Sequence, residues 1–293
     1  MMSTGTKGLS LERLRAFLAV AVAGGIARAA PGEPVRQSQL SRQIKELETA
    51  LTQSLFLRQG RRLLLTPAGE RLRLVVRDLE QGLDEVSTRG RTIGVSLGGG
   101  DSVLRWLVLP EAAALRQAHP DIVLSLRALD AGGTVRALDE HALDLGLLRD
   151  SVPTGDLVTL RLGALGYSLF VAKRALARPR PEWRRVVAEV PLALVTGEPS
   201  LEATLRSLGA ATLECETFAQ AAQAVTIAGC AAVLPSIAAS ELLPTHYLQY
   251  AVPELAPLTS RLLLAWRRRL GDSRPRVTAL RRLLAQRLRQ LLA

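Results

Sequence analysis

The sequence predicts an α+β protein in which a small helical head is joined by a long helix to an α/β body. Three observations predict this fold class. Apolar residues recur every three or four positions between Leu11 and Leu51, as they do along the buried face of helices. Thr66-Pro67 opens a second long amphipathic stretch. Beyond Gly90, short runs of leucine and β-branched residues alternate with helical stretches, which is typical of α/β domains.

The head begins with two predicted helices, one from Leu11 to the Gly24-Gly25 pair and a short one over residues 26–30. Residues 31–34, Pro-Gly-Glu-Pro, predict a turn, because closely spaced prolines remove backbone donors and favour extended neighbours. The next helix has a polar, basic face opposite one apolar stripe. That stripe consists of Leu40, Ile44, Leu47 and Leu51.

A two-stranded hairpin is predicted after these helices. Residues 55–58 and 61–65 form its strands, and Gln59-Gly60 forms its turn, where glycine tolerates a positive φ. Three helices followed by such a hairpin, or wing, predict a winged helix-turn-helix domain over residues 9–65.

The long helix is predicted from Thr66, whose side chain can cap it, with Pro67 at its first position. Its apolar residues alternate at spacings of four and three, which favours a coiled-coil seam and therefore dimerisation. The alternative is that the stripe packs on the chain's own body. The residues of the stripe are Leu72, Val76, Leu79, Leu83 and Val86.

The net charge of +11 is unevenly distributed. Residues 1–91 carry a net +6, residues 92–260 a net −4 and residues 261–293 a net +9. Basic ends around a mildly acidic middle favour a polyanionic partner, although the arginines of solvated helix faces would give a similar count.

The third helix and the wing carry residue types suited to double-stranded DNA. The major groove admits one helix, in which Gln pairs with adenine and Arg with guanine, while Ser and Lys reach phosphates. Wing arginines would contact the backbone or the minor groove without much sequence discrimination. The candidate DNA-binding residues are Gln37, Ser38, Gln39, Ser41, Arg42, Lys45, Arg58, Arg61 and Arg62.

The body is predicted to contain a parallel α/β sheet and a final helix. That helix, from Arg276, should bury Val277, Leu280, Leu284, Leu288 and Leu291 and expose its arginines. The predicted strands are 92–97, 122–128, 143–148, 168–172, 192–196, 231–234 and 261–266.

In order and spacing, residues 11–72 resemble the N-terminal domain of LysR-type transcriptional regulators. The matching residues are Phe17, Ala29-Ala30, Leu40-Ser41-Arg42-Gln43-Ile44, Leu47-Glu48, Leu55-Phe56, Arg58, Gly60-Arg61, Leu65-Thr66 and Ala68-Gly69. In the body they are Leu109-Pro110, His119-Pro120, Asp144-Leu145-Gly146, Ala228-Gly229 and Leu234-Pro235. The chain departs from the family at residues 31–34, where the family continues its second helix, and at Arg36, where the family has a small polar residue.

The resemblance implies a transcription regulator that binds promoter DNA as a dimer or tetramer and responds to a small-molecule effector. It implies a linker helix over 66–90 and an effector domain over 91–293, with two lobes like those of periplasmic binding proteins. Lobe one would hold 92–160 and 267–293, and lobe two 161–266. A change in lobe or subunit angle would respace the DNA-binding heads.

Effectors of open α/β sheets bind at the carboxyl ends of strands, where helix N-termini attract anions. Ser102 follows the first predicted strand, Thr134 follows the second, and Thr196 and Thr217 occupy such positions in lobe two. We expect these four residues to bind the effector, although each would equally serve as a helix cap. Together with the family, this position makes a carboxylate the expected ligand.

The sequence also offers features of two other function classes. Gly94-Val95-Ser96-Leu97-Gly98 matches the nucleophile elbow of serine hydrolases, but Ser96 falls inside a predicted strand rather than at a strand-to-helix turn. A constitutive architectural DNA binder is the other alternative. We expect a DNA-binding regulator and not an enzyme.

No cofactor or metal is predicted. Cys215 and Cys230 are too far apart for a metal or redox pair and lie in apolar surroundings, and the three histidines lack ligand spacing. The absence of a long apolar run and of a secretion signal predicts a cytoplasmic protein without membrane partners.

Overall fold

The computed structural model describes residues 9–59, 62–87, 92–197, 199–268 and 274–292. Contacts between residues divide the chain into two compact units, 1–89 and 90–293. The first unit is the head with the long helix, and the second is the body.

The head contains four helices and one hairpin among its described residues. Phe17, Leu47, Leu55 and Val76 form one of its buried clusters, so the first, third and fourth helices share a core. Ser10 caps the first helix by accepting a hydrogen bond from the Arg13 N–H at 3.2 Å. The elements are α1 (Leu11–Ala23), α2 (Ile26–Ala29), α3 (Pro34–Leu51), β1 (Phe56–Gln59), β2 (Arg62–Leu65) and α4 (Pro67–Ser87).

The predicted turn over residues 31–34 is one residue too long. Pro34 is the first residue of α3, a position where the missing proline N–H leaves no helical hydrogen bond unmade. The early start adds Pro34, Val35 and Arg36 to the helix that was predicted to contact DNA.

The predicted seam on α4 is only partly correct. Val76 is fully buried and Leu72 half-buried in the head's own core, so the first half of the stripe packs within the chain. Leu79, which follows Val76 in the stripe, is 40% exposed. Val75, which is not part of the predicted stripe, is 56% exposed. The Val86 side chain lies outside the described residues, and pairing through α4 stays a prediction.

In the described part of the body, the strands form two five-stranded sheets. Their spatial orders are β4-β3-β5-β12-β6 and β11-β7-β10-β8-β9. The strands of the first sheet are β3 (Ile93–Gly99), β4 (Ile122–Ala128), β5 (Leu145–Arg149), β6 (Val158–Leu165) and β12 (Ser260–Trp266). Those of the second are β7 (Tyr167–Ala172), β8 (Leu192–Val195), β9 (Ala211–Cys215), β10 (Ala231–Pro235) and β11 (Tyr247–Tyr250).

All seven predicted strands are present, but the sheets are mixed rather than parallel. In the first sheet β12 runs antiparallel to β5 and β6, and in the second β7 runs antiparallel to β10 and β11. Sequence reasoning missed β6, β9 and β11, whose residues are mostly exposed or half-buried. Half-exposed strands lack the continuous apolar runs that marked the others.

The predicted lobe boundaries at 160/161 and 266/267 are wrong. Ser260 pairs with Leu165 and Trp266 with Val158, so β6 and β12 hold each other in the first sheet along their lengths. The chain therefore passes between the sheets near Gly166 and Thr259, and a Cβ at Gly166 would lie 3.1 Å from the Thr259 Oγ1. Among the described residues, lobe one comprises 92–165, 260–268 and 274–292, and lobe two lies between Leu165 and Ser260.

Helices cover both sheets. The α-helices are α5 (Asp101–Val103), α6 (Ala112–Ala118), α7 (Ala131–Asp139), α8 (Trp183–Glu189), α9 (Pro199–Leu208), α10 (Phe218–Thr226) and α11 (Pro275–Leu292). A π-helical segment, Leu104–Val108, and a 3-10 turn, Leu109–Glu111, connect α5 to α6. Further 3-10 segments span Lys173–Ala175, Ser236–Ser240 and Pro253–Leu258.

Helix α11 buries four of its five predicted apolar residues against the first sheet, whereas Leu291 is exposed. Its arginines were predicted to be exposed, but three of them contact other side chains of the chain. Arg287 pairs with Glu111, Arg276 pairs with Asp121 at 3.1 Å, and the Arg281 guanidinium lies 3.9 Å from the centre of the Trp266 ring. Part of the positive charge of this segment is therefore paired with carboxylates of the first lobe.

Candidate nucleic-acid interface and ligand cleft

The exposed face of α3 lies opposite its buried residues Leu40, Ile44 and Leu47. Of the predicted residues in this helix, all but one are exposed on its surface. They are Ser38, Gln39, Ser41, Arg42 and Lys45. The face is therefore polar and basic, and it can hydrogen-bond to base edges and phosphates.

Gln37 differs from the other predicted residues. It is half-buried, and its Nε2 donates to the Ala30 carbonyl at 2.8 Å. This hydrogen bond ties the first turn of α3 to the end of α2, so Gln37 positions the helix.

Three acidic residues hold α3 in place, and the sequence reasoning did not identify them as positioning groups. Glu46 pairs with Arg13 at 2.7 Å, Glu12 accepts from the Gln43 Nε2 at 2.6 Å, and Glu48 accepts from the Leu55 N–H at 2.7 Å. These contacts join α3 to α1 and to the start of the wing, so the basic face is carried on a fixed support.

Of the wing arginines, the structure describes the side chain of Arg58, which is exposed on β1 and pairs in register with Leu63. Arg61 lies outside the described residues, and for Arg62 only the backbone in β2 is described. Their roles stay predictions.

In the body, the predicted effector residues follow the carboxyl ends of strands, but two hydroxyls serve the backbone. Thr217 caps α10 by accepting from the Gln220 N–H at 3.2 Å, in a reciprocal capping box. The hydroxyl of the buried Thr134 donates to the Asp130 carbonyl at 2.8 Å. Asp130, not Thr134, caps α7.

The hydroxyls of the other two predicted residues make either no hydrogen bond or a long one within the described chain. Ser102 is only 8% exposed in α5, directly after β3, and its hydroxyl makes no hydrogen bond within the described part of the chain. The Thr196 hydroxyl donates to the Cys215 carbonyl over 3.3 Å.

A cationic group that the sequence reasoning missed lies where the chain crosses between the lobes. Arg149, the last residue of β5, donates to the Ser260 Oγ at 3.0 Å and to the Tyr167 hydroxyl. Its guanidinium carbon is 5.1 Å from the centre of the Tyr167 ring, which lies 5.8 Å from the ring of Phe218. No carboxylate pairs with Arg149 within the described ranges, so two hydroxyls and one aromatic ring hold a half-buried cation.

The lobes are also joined by an ion pair. Glu241 of lobe two accepts from Arg105 Nε at 2.8 Å and from Trp106 Nε1 at 2.7 Å, both on the π-helical segment of lobe one. The hydrogen bond from Arg105 is the main reason why the pKa of Glu241 lies below its usual value. Trp106 packs in a core of lobe two beside Phe170, so one side chain of lobe one anchors in the other lobe.

The Ser96 hydroxyl has a structural role. It donates to Asp144 Oδ2 at 2.9 Å and accepts from the Asp144 N–H at 3.0 Å, within the middle of β3. Asp144 in turn pairs with the buried Arg274. This is not the geometry of a nucleophile elbow.

Cys215 and Cys230 are buried, and burial raises the pKa of both thiols. The described residues hold no cluster of His, Cys, Asp and Glu that could bind a metal ion. Searched along its described helices, the chain offers no apolar stretch of the length that a bilayer crossing requires.

Two family models match the chain. Residues 11–70 match the bacterial regulatory helix-turn-helix protein of the lysR family, and residues 91–289 match the LysR substrate binding domain. The second match alone covers more than half of the chain.

Curated relatives match over shorter stretches. A probable nitrogen assimilation transcriptional activator from Synechococcus elongatus is 32% identical over 149 residues, 49% of this chain and 48% of the relative. The transcriptional regulator DgdR of Burkholderia cepacia is 27% identical over 146 residues, 48% of this chain and 50% of the relative. The chain thus spans about half the length of the curated relatives it matches.

Solved structures match the fold over nearly the whole chain. ArgP from Mycobacterium tuberculosis has a TM-score of 0.65 at 18% identity and covers 94% of this chain and 97% of its own. Full-length LysG from Corynebacterium glutamicum with bound effector Arg has a TM-score of 0.63 at 16% identity. The match covers 96% of this chain and 99% of the LysG chain.

Proposed function

The chain belongs to the LysR family of bacterial transcription regulators, and from that premise we propose that it binds promoter DNA site-selectively under the control of a small carboxylate. The single observation that carries the DNA-binding part is the exposed basic face of α3, held to α1 and the wing by Glu46, Glu12 and Glu48.

In this proposal Arg42 reads a guanine, and Ser38, Ser41 and Lys45 contact neighbouring bases and phosphates. Gln39 lies at the edge of the same exposed face. Arg58, Arg61 and Arg62 bind the DNA backbone from the wing, which adds affinity for any sequence. Gln37 holds the first turn of α3 through Ala30.

For the effector we propose Arg149 as the carboxylate anchor, with Ser102 and Thr196 as further polar contacts. The support is chemical: a half-buried guanidinium whose two side-chain acceptors are both hydroxyls can exchange them for a charged acceptor, which forms stronger hydrogen bonds. The carboxyl end of β5 is also where open α/β sheets bind ligands.

Control requires two heads and a body with two states. The exposed Val75 and Leu79 on α4 offer a surface for pairing with a second copy. A ligand that binds one lobe angle better than another shifts the population of states and thereby the spacing of the paired heads.

The first experiment is a salt titration of binding to the DNA upstream of the protein's own gene, compared with random duplex of equal length. We expect tighter binding to the upstream DNA and a steep loss of affinity with salt. Arg42→Ala should reduce the preference, while Arg282→Ala, which removes an exposed arginine of α11, should leave it unchanged. Equal, weak binding to both duplexes would contradict site-selective regulation.

The effector part is tested on the full chain with a panel of small mono- and dicarboxylates, using calorimetry and the same DNA assay. A ligand should bind the wild type and change its DNA affinity. Arg149→Gln should weaken that ligand by about tenfold or more. Arg161→Gln, an exposed arginine of β6, is the matched control. Specific DNA binding unaffected by any carboxylate would favour a constitutive architectural binder.

A further inference from the structure

The first turn of α3 presents an apolar side chain on an otherwise polar face. Val35 is 75% exposed, among the highest values for a large hydrophobic residue in the described chain. Val35 belongs to the helix because α3 begins at Pro34, the last residue of the predicted turn.

Val35 shares its face with the residues proposed to contact DNA. Positions 35, 38, 42 and 45 are separated by three, four and three residues, so Val35, Ser38, Arg42 and Lys45 form one row along the helix. The buried residues Leu40, Ile44 and Leu47 lie on the opposite side. A partner that approaches Arg42 and Lys45 therefore also meets Val35.

The position of Val35 in this row indicates which chemical group on DNA it would contact. The first residues of a recognition helix reach the base edges of the major groove, and the only methyl group displayed there belongs to thymine. A valine side chain offers two methyl groups, has no donor or acceptor, and is stiff about χ1, so little conformational freedom is lost when it is placed.

We propose that Val35 reads the 5-methyl group of a thymine in the operator and so specifies one A·T pair beside the base contacted through Ser38 or Arg42. The inference rests on the proposed DNA-binding function. It adds an apolar contact that is chosen by shape, next to contacts that are chosen by hydrogen bonding.

The test starts from the upstream DNA that the wild type prefers in the salt titration and takes it as the operator. Each of its thymines is replaced in turn by deoxyuridine, which removes only the methyl group, and the affinity of the full chain is measured for every duplex. For the wild type we expect one position at which this exchange weakens binding by about fourfold, the value of one buried methyl group. Val35→Ala should weaken binding to the unmodified operator to a similar extent and become indifferent to uracil at that position alone.

Val22→Ala is the matched control, because Val22 is 65% exposed on α1 and outside the row. It should keep the uracil sensitivity of the wild type. Val35→Thr retains one methyl group and should show an intermediate response. Thermal unfolding of all variants should match the wild type, since each changed side chain is exposed.

An unchanged uracil profile in Val35→Ala would overturn the inference while leaving specific DNA binding intact. A wild type that shows no preference for any operator in the salt titration would overturn the proposed function itself, and the inference with it.

Discussion

The recognition face of α3 and the cleft edge of the body both carry polar residues, but the fold uses them differently. On α3 the side chains of Ser38, Arg42 and Lys45 are exposed. At the cleft, the hydroxyls of Thr134 and Thr217 hydrogen-bond to the backbone of their own helices. Thr217 accepts from an N–H that the start of α10 leaves unpaired, whereas Thr134, inside α7, donates to the carbonyl four residues earlier. The exposed residues of α3 thus keep their side chains available to a partner, whereas two of the four residues predicted after strands use their hydroxyls within the chain.

Removing the buried guanidinium of Arg274 is expected to destabilise the body more than any other change considered below. Its side chain and that of its partner Asp144 are 6% and 4% exposed, so Arg274→Ala leaves a carboxylate buried without its cation. We expect the free energy of unfolding of the body to fall by about 3–5 kcal/mol. Urea unfolding would measure the change, with Arg282→Ala as the exposed control. A loss below about 1 kcal/mol would show that this polar network does not support the fold.

The next largest effect concerns Arg42 and Arg58, both exposed on the head. Arg42→Ala should cost about 1–3 kcal/mol on the specific site and relax base preference at one position. Arg58→Ala should weaken specific and random DNA alike. The ion pair of Arg42 with Glu46, at 3.9 Å on the surface, contributes little to either result. Equal losses on both kinds of DNA for both variants would contradict the assignment of roles.

A crossed pair of variants tests the comparison directly. Thr217→Ala removes a helix cap and should lower the free energy of unfolding by about 1 kcal/mol without changing affinity for a carboxylate. Ser38→Ala should lower DNA affinity without changing thermal stability, because Ser38 is exposed. If Thr217→Ala instead weakened the ligand at unchanged stability, the hydroxyl would belong to the ligand site.

The smallest effect is expected at Glu241. Its carboxylate is partly exposed, like the side chains of α3, but it is also paired within the chain, like the hydroxyls of Thr134 and Thr217. Its pKa is lowered by Arg105, so its contribution to stability is present above the ordinary carboxyl pKa and is lost as pH falls through the lowered value. The melting temperature of the wild type should therefore fall toward that of Glu241→Gln as the solution becomes acidic. A constant difference between the two proteins across the acidic range would contradict this.

Much of the head could be predicted because its helices bury regular stripes. The buried positions of Leu40, Ile44 and Leu47 and the first half of the α4 stripe follow from periodicity alone. The start of α3 could not, because Pro34 is compatible with a turn and with a first helical position alike.

The body was predicted less completely because its site depends on side chains brought together from distant parts of the chain. Arg149 follows a predicted strand, which is the one signal that could have found it. Its partners Tyr167 and Ser260 are 18 and 111 residues away. No local pattern indicates that β6 and β12 pair, and the lobe boundaries depend on that pairing.

The discontinuity of lobe one has a consequence for synthesis on the ribosome. Lobe two is a single uninterrupted segment between the two crossings, whereas the sheet of lobe one needs β12, which follows Leu165 only after lobe two has been translated. Domains fold as units, N-terminal first, when their chain is available. The expected order of emergence is therefore the head, then lobe two, then the closure of lobe one around β12 and α11. In the interval, the first strands of lobe one carry an open edge, and this is the stage at which a nascent chain is most exposed to chaperones and to mispairing.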